Sequence, residues 1–227
     1  MATRERIVEA AAELLATGGR EAVSTRAVSA AAGVQAPTIY RLFGDKQGLL
    51  DAVAGHGIAE YLHSKIVHDP DPVADLRRGW DLHVGFGLAN PAFYALMYGD
   101  PHPGDPSPAA QAALRILRGH VRRIAEVGRL RVPEEHAVQL VQASGTGTVL
   151  TLLATPQDRR DPTLSAMARE ACIAAITTDT TVTAEPGAAS AAVALSAALD
   201  GVTTLTASEL GLLRDWLTRI AAYRPPQ

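Results

Sequence analysis

Apolar residues recur along this chain at helical spacing, and strand-like alternation is confined to a short Thr-rich stretch, Thr177 to Thr183. The spacing predicts a first helix over Thr3–Thr17, with Ile7, Val8, Ala11, Leu14 and Leu15 on one stripe and Gly18-Gly19 as its stop. Two short helices follow, Thr25–Ala32 and Pro37–Phe43, separated by Gly33-Val34. A long helix begins near Lys46 and continues towards His68, ending before Asp69-Pro70-Asp71-Pro72, which reads as a boundary or a sharp corner. Beyond it the pattern predicts helices at about 73–89, 91–99, 107–128, 134–154, 163–178, 188–200 and 207–222. Asn90-Pro91 and the proline-rich run from Asp100 to Pro108 break them. Pro133 and Pro162 stand where first turns tolerate proline, and Thr206 or Ser208 is placed to cap the last helix. The expected fold class is all-α, with a small N-terminal three-helix unit over residues 1–61 and a larger helical bundle over 62–227.

The informative segment is Ser24 to Phe43. Ser24 is placed to cap the first short helix, whose buried side is Val28, Ala31 and Ala32. Gly33 supplies the positive φ of a tight turn and Val34 plugs the joint. Pro37 fits only a first turn, so the second short helix starts at Ala36 or Pro37. Ile39, Leu42 and Phe43 are expected to face inward, leaving Thr38 and Arg41 outward with Tyr40 beside them. That outward set has hydroxyls and a guanidinium and no acid, which suits phosphates and base edges. Gly44-Asp45-Lys46 then opens the long helix with Asp45 as its cap. A lysine at that end opposes the macrodipole, and it makes sense if an anion docks there.

Over residues 4–55 this pattern resembles the TetR family of bacterial transcriptional repressors. The residues that carry the likeness are Thr25-Arg26, Ala32-Gly33-Val34, Pro37-Thr38-Ile39-Tyr40, Phe43, Lys46 and Leu49-Leu50. The resemblance implies a helix-turn-helix at 24–43 whose second helix lies in the major groove. It implies phosphate contacts from Thr25, Thr38, Tyr40 and Lys46, and base-edge positions at Arg26, Gln35, Ala36, Pro37 and Arg41. Two departures bear on operator sequence: Gln35 stands where many members have a serine cap, and Leu42 where several have histidine.

Composition changes this picture little until it is divided by segment. The 227 residues carry a net charge of −3, which excludes a chain that is basic all over. Residues 20–46, however, hold Arg20, Arg26, Arg41 and Lys46 against only Glu21 and Asp45. A weakly basic head on an acidic body favours site-specific over bulk DNA binding. Lys46 is also one of only two lysines, the other being Lys65. Cys172 is the sole cysteine and reads as a small buried hydrophobe. The N-terminus lacks a signal-peptide core, and the uncharged stretch from His136 to Gln157 is too polar for a membrane span, so a cytoplasmic protein is expected. The spacing of His56, His63 and His68 does not converge for chelation, no catalytic motif is present, and neither metal, cofactor nor enzymatic activity is expected.

In the second part, Trp80, Phe86, Phe93, Tyr94, Tyr98 and nearby Tyr61 gather in a chain where aromatics make up only 4%. This is either a core cluster under the Asn-Pro corner or the lining of an apolar effector pocket, with His83 as its polar handle. The candidate effector contacts are Trp80, His83, Phe86, Phe93, Met97 and His120. The stretch also resembles a C-terminal regulatory domain found in one TetR subgroup. The helix at 134–154 carries Ala143, Ser144, Gly145, Gly147 and Thr148, and that at 163–178 carries Ala168, Ala171, Cys172 and Ala175. Such small-residue faces allow close approach, within the chain or across a symmetric interface. TetR-like proteins dimerise through two late helices of each subunit, and this pair is the expected one. The partners implied are a double-stranded operator, a small-molecule effector and a second copy, with no membrane. Two rivals remain: a helix-turn-helix adaptor governed by a protein partner, and a small-molecule-binding helical protein without DNA readout.

Overall fold

A computed structural model describes residues 2–64, 69–99, 107–178 and 188–222, with side chains from 59 to 64 left aside. Among these residues there are eleven α-helices and no strand. They are α1 (Thr3–Ala22), α2 (Thr25–Ala32), α3 (Ala36–Phe43), α4 (Lys46–Ser64), α5 (Pro72–Ala89) and α6 (Pro91–Tyr98). There follow α7 (Pro108–Glu126), α8 (Glu134–Ala154), α9 (Leu164–Ile176), α10 (Ala188–Ala198) and α11 (Ala207–Ala222). By packing, the chain forms two units: Met1–Val67 with Leu82–Ala113, and His68–Asp81 with Leu114–Gln227.

In the first unit, Ile7, Ala11 and Leu15 of α1 meet Val28 of α2, Ile39 of α3, and Leu49, Leu50 and Val53 of α4 in one buried cluster. The helix starts follow from their caps. Ser24 Oγ accepts the Ala27 N–H at 3.1 Å, and Asp45 Oδ1 accepts that of Gly48 at 2.8 Å. Gly33 ends α2 with φ 63°, a left-handed conformation that costs other residues a clash with Cβ. The short α6 belongs to this unit as well: it packs on α1 and α4, and Phe93 and Leu96 lie against the same cluster. Asn90 makes the corner before it, donating from its side chain to the Phe86 carbonyl at 3.2 Å while its own carbonyl accepts from Tyr94.

Three local expectations need correction. The first helix does lose helical geometry at its glycines, at Gly19 (φ 67°, ψ −169°), but a further turn follows and α1 extends to Ala22. Ala31 is exposed, because the eight-residue α2 buries only Val28 and Ala32. Leu42 is also exposed, at 36%, since only Ile39 of the last two turns of α3 is fully covered and Phe43 only partly so.

In the second unit the Asp-Pro run is a corner tied by arginines. Asp71 Oδ1 accepts the Val73 N–H to start α5 and pairs with Arg129 at 2.7 Å, while Arg123 donates to the Asp69 carbonyl. Trp80 donates its indole N–H to Ser165 at 3.1 Å, and Arg169 and Arg77 pair with Asp81 and Glu170, so the start of α5 is fastened to α9. Thr177 forms an isolated bridge to Leu130, and the rest of the Thr-rich stretch, from 179, lies outside the described residues. The chain after it returns as a hairpin, α10 on α11. Arg122 of α7 holds the hairpin by donating to the Ala197 carbonyl and pairing with Asp200 at 2.9 Å. Thr206 caps α11 reciprocally with Glu209. The helix α8 has the length and apolarity of a membrane span, yet Ala137, Val138, Val141, Val149 and Leu152 are buried inside this unit.

Candidate nucleic-acid interface

The recognition segment is displayed by a core that leaves its polar residues outside. With Ile39 1% exposed and anchoring α3, Gln35, Pro37, Tyr40 and Arg41 lie on the surface, and Ala36 and Thr38 are half-exposed. From α2, Arg26 is exposed and Thr25 half-exposed, and Lys46 at the start of α4 is exposed. All nine residues expected to meet DNA are therefore accessible on one unit, carried by three short-range elements whose caps and turn are fixed. Tyr40 stands out, since a tyrosine 52% exposed gains little from burial. Gln35 is the N-cap of α3 and its side chain makes no capping hydrogen bond.

Two further arginines lie near this surface. Arg6 donates from Nε to the Ala32 carbonyl at 3.1 Å, closing the last turn of α2 against α1. Arg4 lies over the Phe43 ring with Cζ 5.0 Å from its centroid. Pattern reading passed over both, because their partners are far away in sequence.

The residues expected to meet an effector fall in different surroundings. His83 Nε2 and the Tyr94 hydroxyl are 2.9 Å apart, and the Tyr98 ring lies 4.7 Å from that of Tyr94 and 5.9 Å from His83. Tyr94 is fully buried, and burial pushes the Tyr98 phenol up to about 12. Phe86 and Met97 are buried in the same unit. Phe93 covers Gly57 of α4 so closely that a Cβ added there would sit 2.2 Å from its ring. Tyr61 lies outside the residues whose side chains are described.

Trp80 and His120 belong to the second unit. Trp80 is engaged by Ser165. His120 Nδ1 lies 2.9 Å from Asp75, a fully buried carboxylate that also pairs with Arg78 at 2.7 Å and Arg123 at 2.5 Å. Pairing this buried anion with guanidinium groups offsets its desolvation. The sequence pattern missed Asp75 because a lone Asp in a first turn looks like an ordinary helix-start acid. Cys172 is buried, and desolvation raises its thiol pKa.

Residues 7–53 match the family model described as bacterial regulatory proteins, tetR family. No curated protein matches the chain. Solved structures do. A Bacillus subtilis transcriptional regulator, FadR, in complex with stearoyl-CoA superposes with a TM-score of 0.61 at 17% identity, covering 74% of this chain and 97% of its own. SmeT, the repressor of the Stenotrophomonas maltophilia multidrug efflux pump SmeDEF, gives 0.59 at 19% identity, covering 82% and 95%. An Acinetobacter baumannii TetR variant in complex with minocycline gives 0.53 at 22% identity, covering 74% and 93%. The helix-turn-helix displayed over α2 and α3 thus lies within the segment that matches the tetR family model, and the chain as a whole shares the fold of these solved regulators.

Proposed function

We propose that the protein is a ligand-responsive repressor that binds a pseudo-palindromic operator as a homodimer and is released by a small, mostly apolar molecule. The observation that carries the DNA reading is the display of Gln35, Pro37, Tyr40 and Arg41 on a helix anchored by buried Ile39, with Lys46 exposed beside it. Thr25, Thr38, Tyr40 and Lys46 are assigned to phosphates, and Arg26, Gln35, Ala36, Pro37 and Arg41 to base edges. The functional division is taken at residues 61 and 62, with effector binding and dimerisation after it. Such a protein acts in the cytoplasm, as a regulator and not as an enzyme.

Self-association is supported by α8 and α9, which pack together and leave Leu140, Ala143, Gly147, Leu150, Met167 and Ala171 exposed. Apolar and small residues exposed on paired helices fit a symmetric interface. The effector reading rests on His83, Phe86, Phe93 and Met97, on or beside the helix α6 that packs against the DNA-binding helices. A molecule that shifts α6 moves α1 and α4 with it, so effector and operator compete through the preferred position of one helix. FadR and the TetR variant, which share this fold, were solved in complex with stearoyl-CoA and minocycline, so the fold accommodates small-molecule ligands.

A gel-shift assay with the promoter region beside the protein's own gene tests the reading. Retarded DNA is expected, weakened on every sequence by Tyr40→Phe or Lys46→Ala and altered in sequence preference by Arg41→Ala. A folded dimer that shifts no DNA at low salt sinks the repressor.

A further inference from the structure

We infer that Arg4, outside the helix-turn-helix, is a further DNA-contacting residue that takes a backbone phosphate at the corner where α3 ends. The inference rests on the DNA-binding reading above and extends it to α1. Arg4 is exposed, and its guanidinium is held 5.0 Å from the centroid of Phe43, the last residue of α3. Three residues further on is Lys46, so the fold gathers two cations from opposite ends of the sequence segment around one turn, with Arg41 on the last turn of α3.

Stability does not account for this placement. A cation in the first turn of a helix opposes its macrodipole, and an exposed cation–π contact returns only about 0.5–1 kcal/mol. The contact consumes none of the five guanidinium N–H donors, which match phosphate oxygens in geometry. Arg6, two residues on, shows the contrast: its Nε is used on the Ala32 carbonyl inside the unit. The acids at this end have local duties, Glu5 accepting the Ala2 N–H at 3.0 Å and Asp45 that of Gly48. Because Ile7 and Ala11 bury α1 in the core, Arg4 is presented on a rigid support, and little ordering is needed when DNA docks.

The test measures binding of the full chain by fluorescence anisotropy across a salt series. The probes are a duplex from the promoter region beside its own gene and a scrambled duplex of the same composition. Arg4→Ala and Arg4→Gln should lower affinity on both duplexes by the same factor and flatten the slope of log affinity against log salt by about 2, one phosphate for each head of the dimer, whereas Arg4→Lys should keep the slope. Both neutral variants remove the guanidinium from Phe43, so the flattened slope, and not the affinity loss alone, is what marks a loss of charge at a phosphate. Wild-type affinity and slope in the two neutral variants overturn the inference, and so does an affinity loss with an unchanged slope, which marks a structural contact. If the wild type itself binds neither duplex at low salt, the DNA-binding reading fails and the inference with it.

Discussion

At the residue scale, the chemistry that matters is carried by side chains whose surroundings contradict their ordinary preferences. Tyr40 is an exposed aromatic, Lys46 a cation at a helix start, and Asp75 a carboxylate with no exposure. Tyr98 is a phenol held neutral by burial, its pKa raised from 10.0 to about 12. Since the folded-state pKa is the higher one, the contribution is complete below pH 10 and is lost as pH rises towards 12. The loss amounts to on the order of 2–3 kcal/mol. Urea titrations of wild type and Tyr98→Phe across that range should show the wild type losing more stability with pH. Parallel curves would mean that the phenol is not desolvated.

At the scale of elements, α6 is an eight-residue helix whose position depends on a close fit to α4. Gly57 makes the fit: the Phe93 ring occupies the space a Cβ would take. Gly57→Ala should therefore destabilise the protein by roughly 1–3 kcal/mol through overpacking. Adding Phe93→Leu should return part of that, a non-additivity visible in a double-mutant cycle by denaturant unfolding. Strict additivity would show that the two helices do not depend on this contact. Locally, a glycine within a helix is only a weak spot. What makes it necessary is a ring 36 residues later, and no local pattern connects the two. Ser24, Gly33 and Asp45, by contrast, act within three residues of themselves, and their roles were legible.

For the whole molecule, the proposed operator binding by two heads depends on self-association. Ala171 is exposed on α9, so Ala171→Arg leaves the buried face of that helix alone and places a charge where the second copy is proposed to pack. Sedimentation should show a monomer, and affinity for the promoter duplex should fall on the order of 100-fold as the two half-sites lose their linkage. A variant that remains dimeric with undiminished affinity would move the interface elsewhere. The α10–α11 hairpin has its own anchor on Arg122, a contact that its alanine-rich sequence does not announce.

The sequence by itself determined the helices, the turn at Gly33 and the caps, because these depend on backbone preferences and periodicity within a few residues. It determined less about exposure at helix edges. Ala31 and Leu42 sit on the flank of an apolar stripe, where one missing neighbour decides the outcome. Only the tertiary structure decided that α6 packs with the DNA-binding helices, that Trp80 and His120 are engaged by Ser165 and Asp75, and that Arg4 lies over Phe43. Each of these joins residues distant in sequence, from 39 positions for Arg4 and Phe43 to 85 for Trp80 and Ser165 among the side-chain pairs. Such contacts are selected by close packing and by the need to pair buried charge, and neither leaves a periodic trace along the chain.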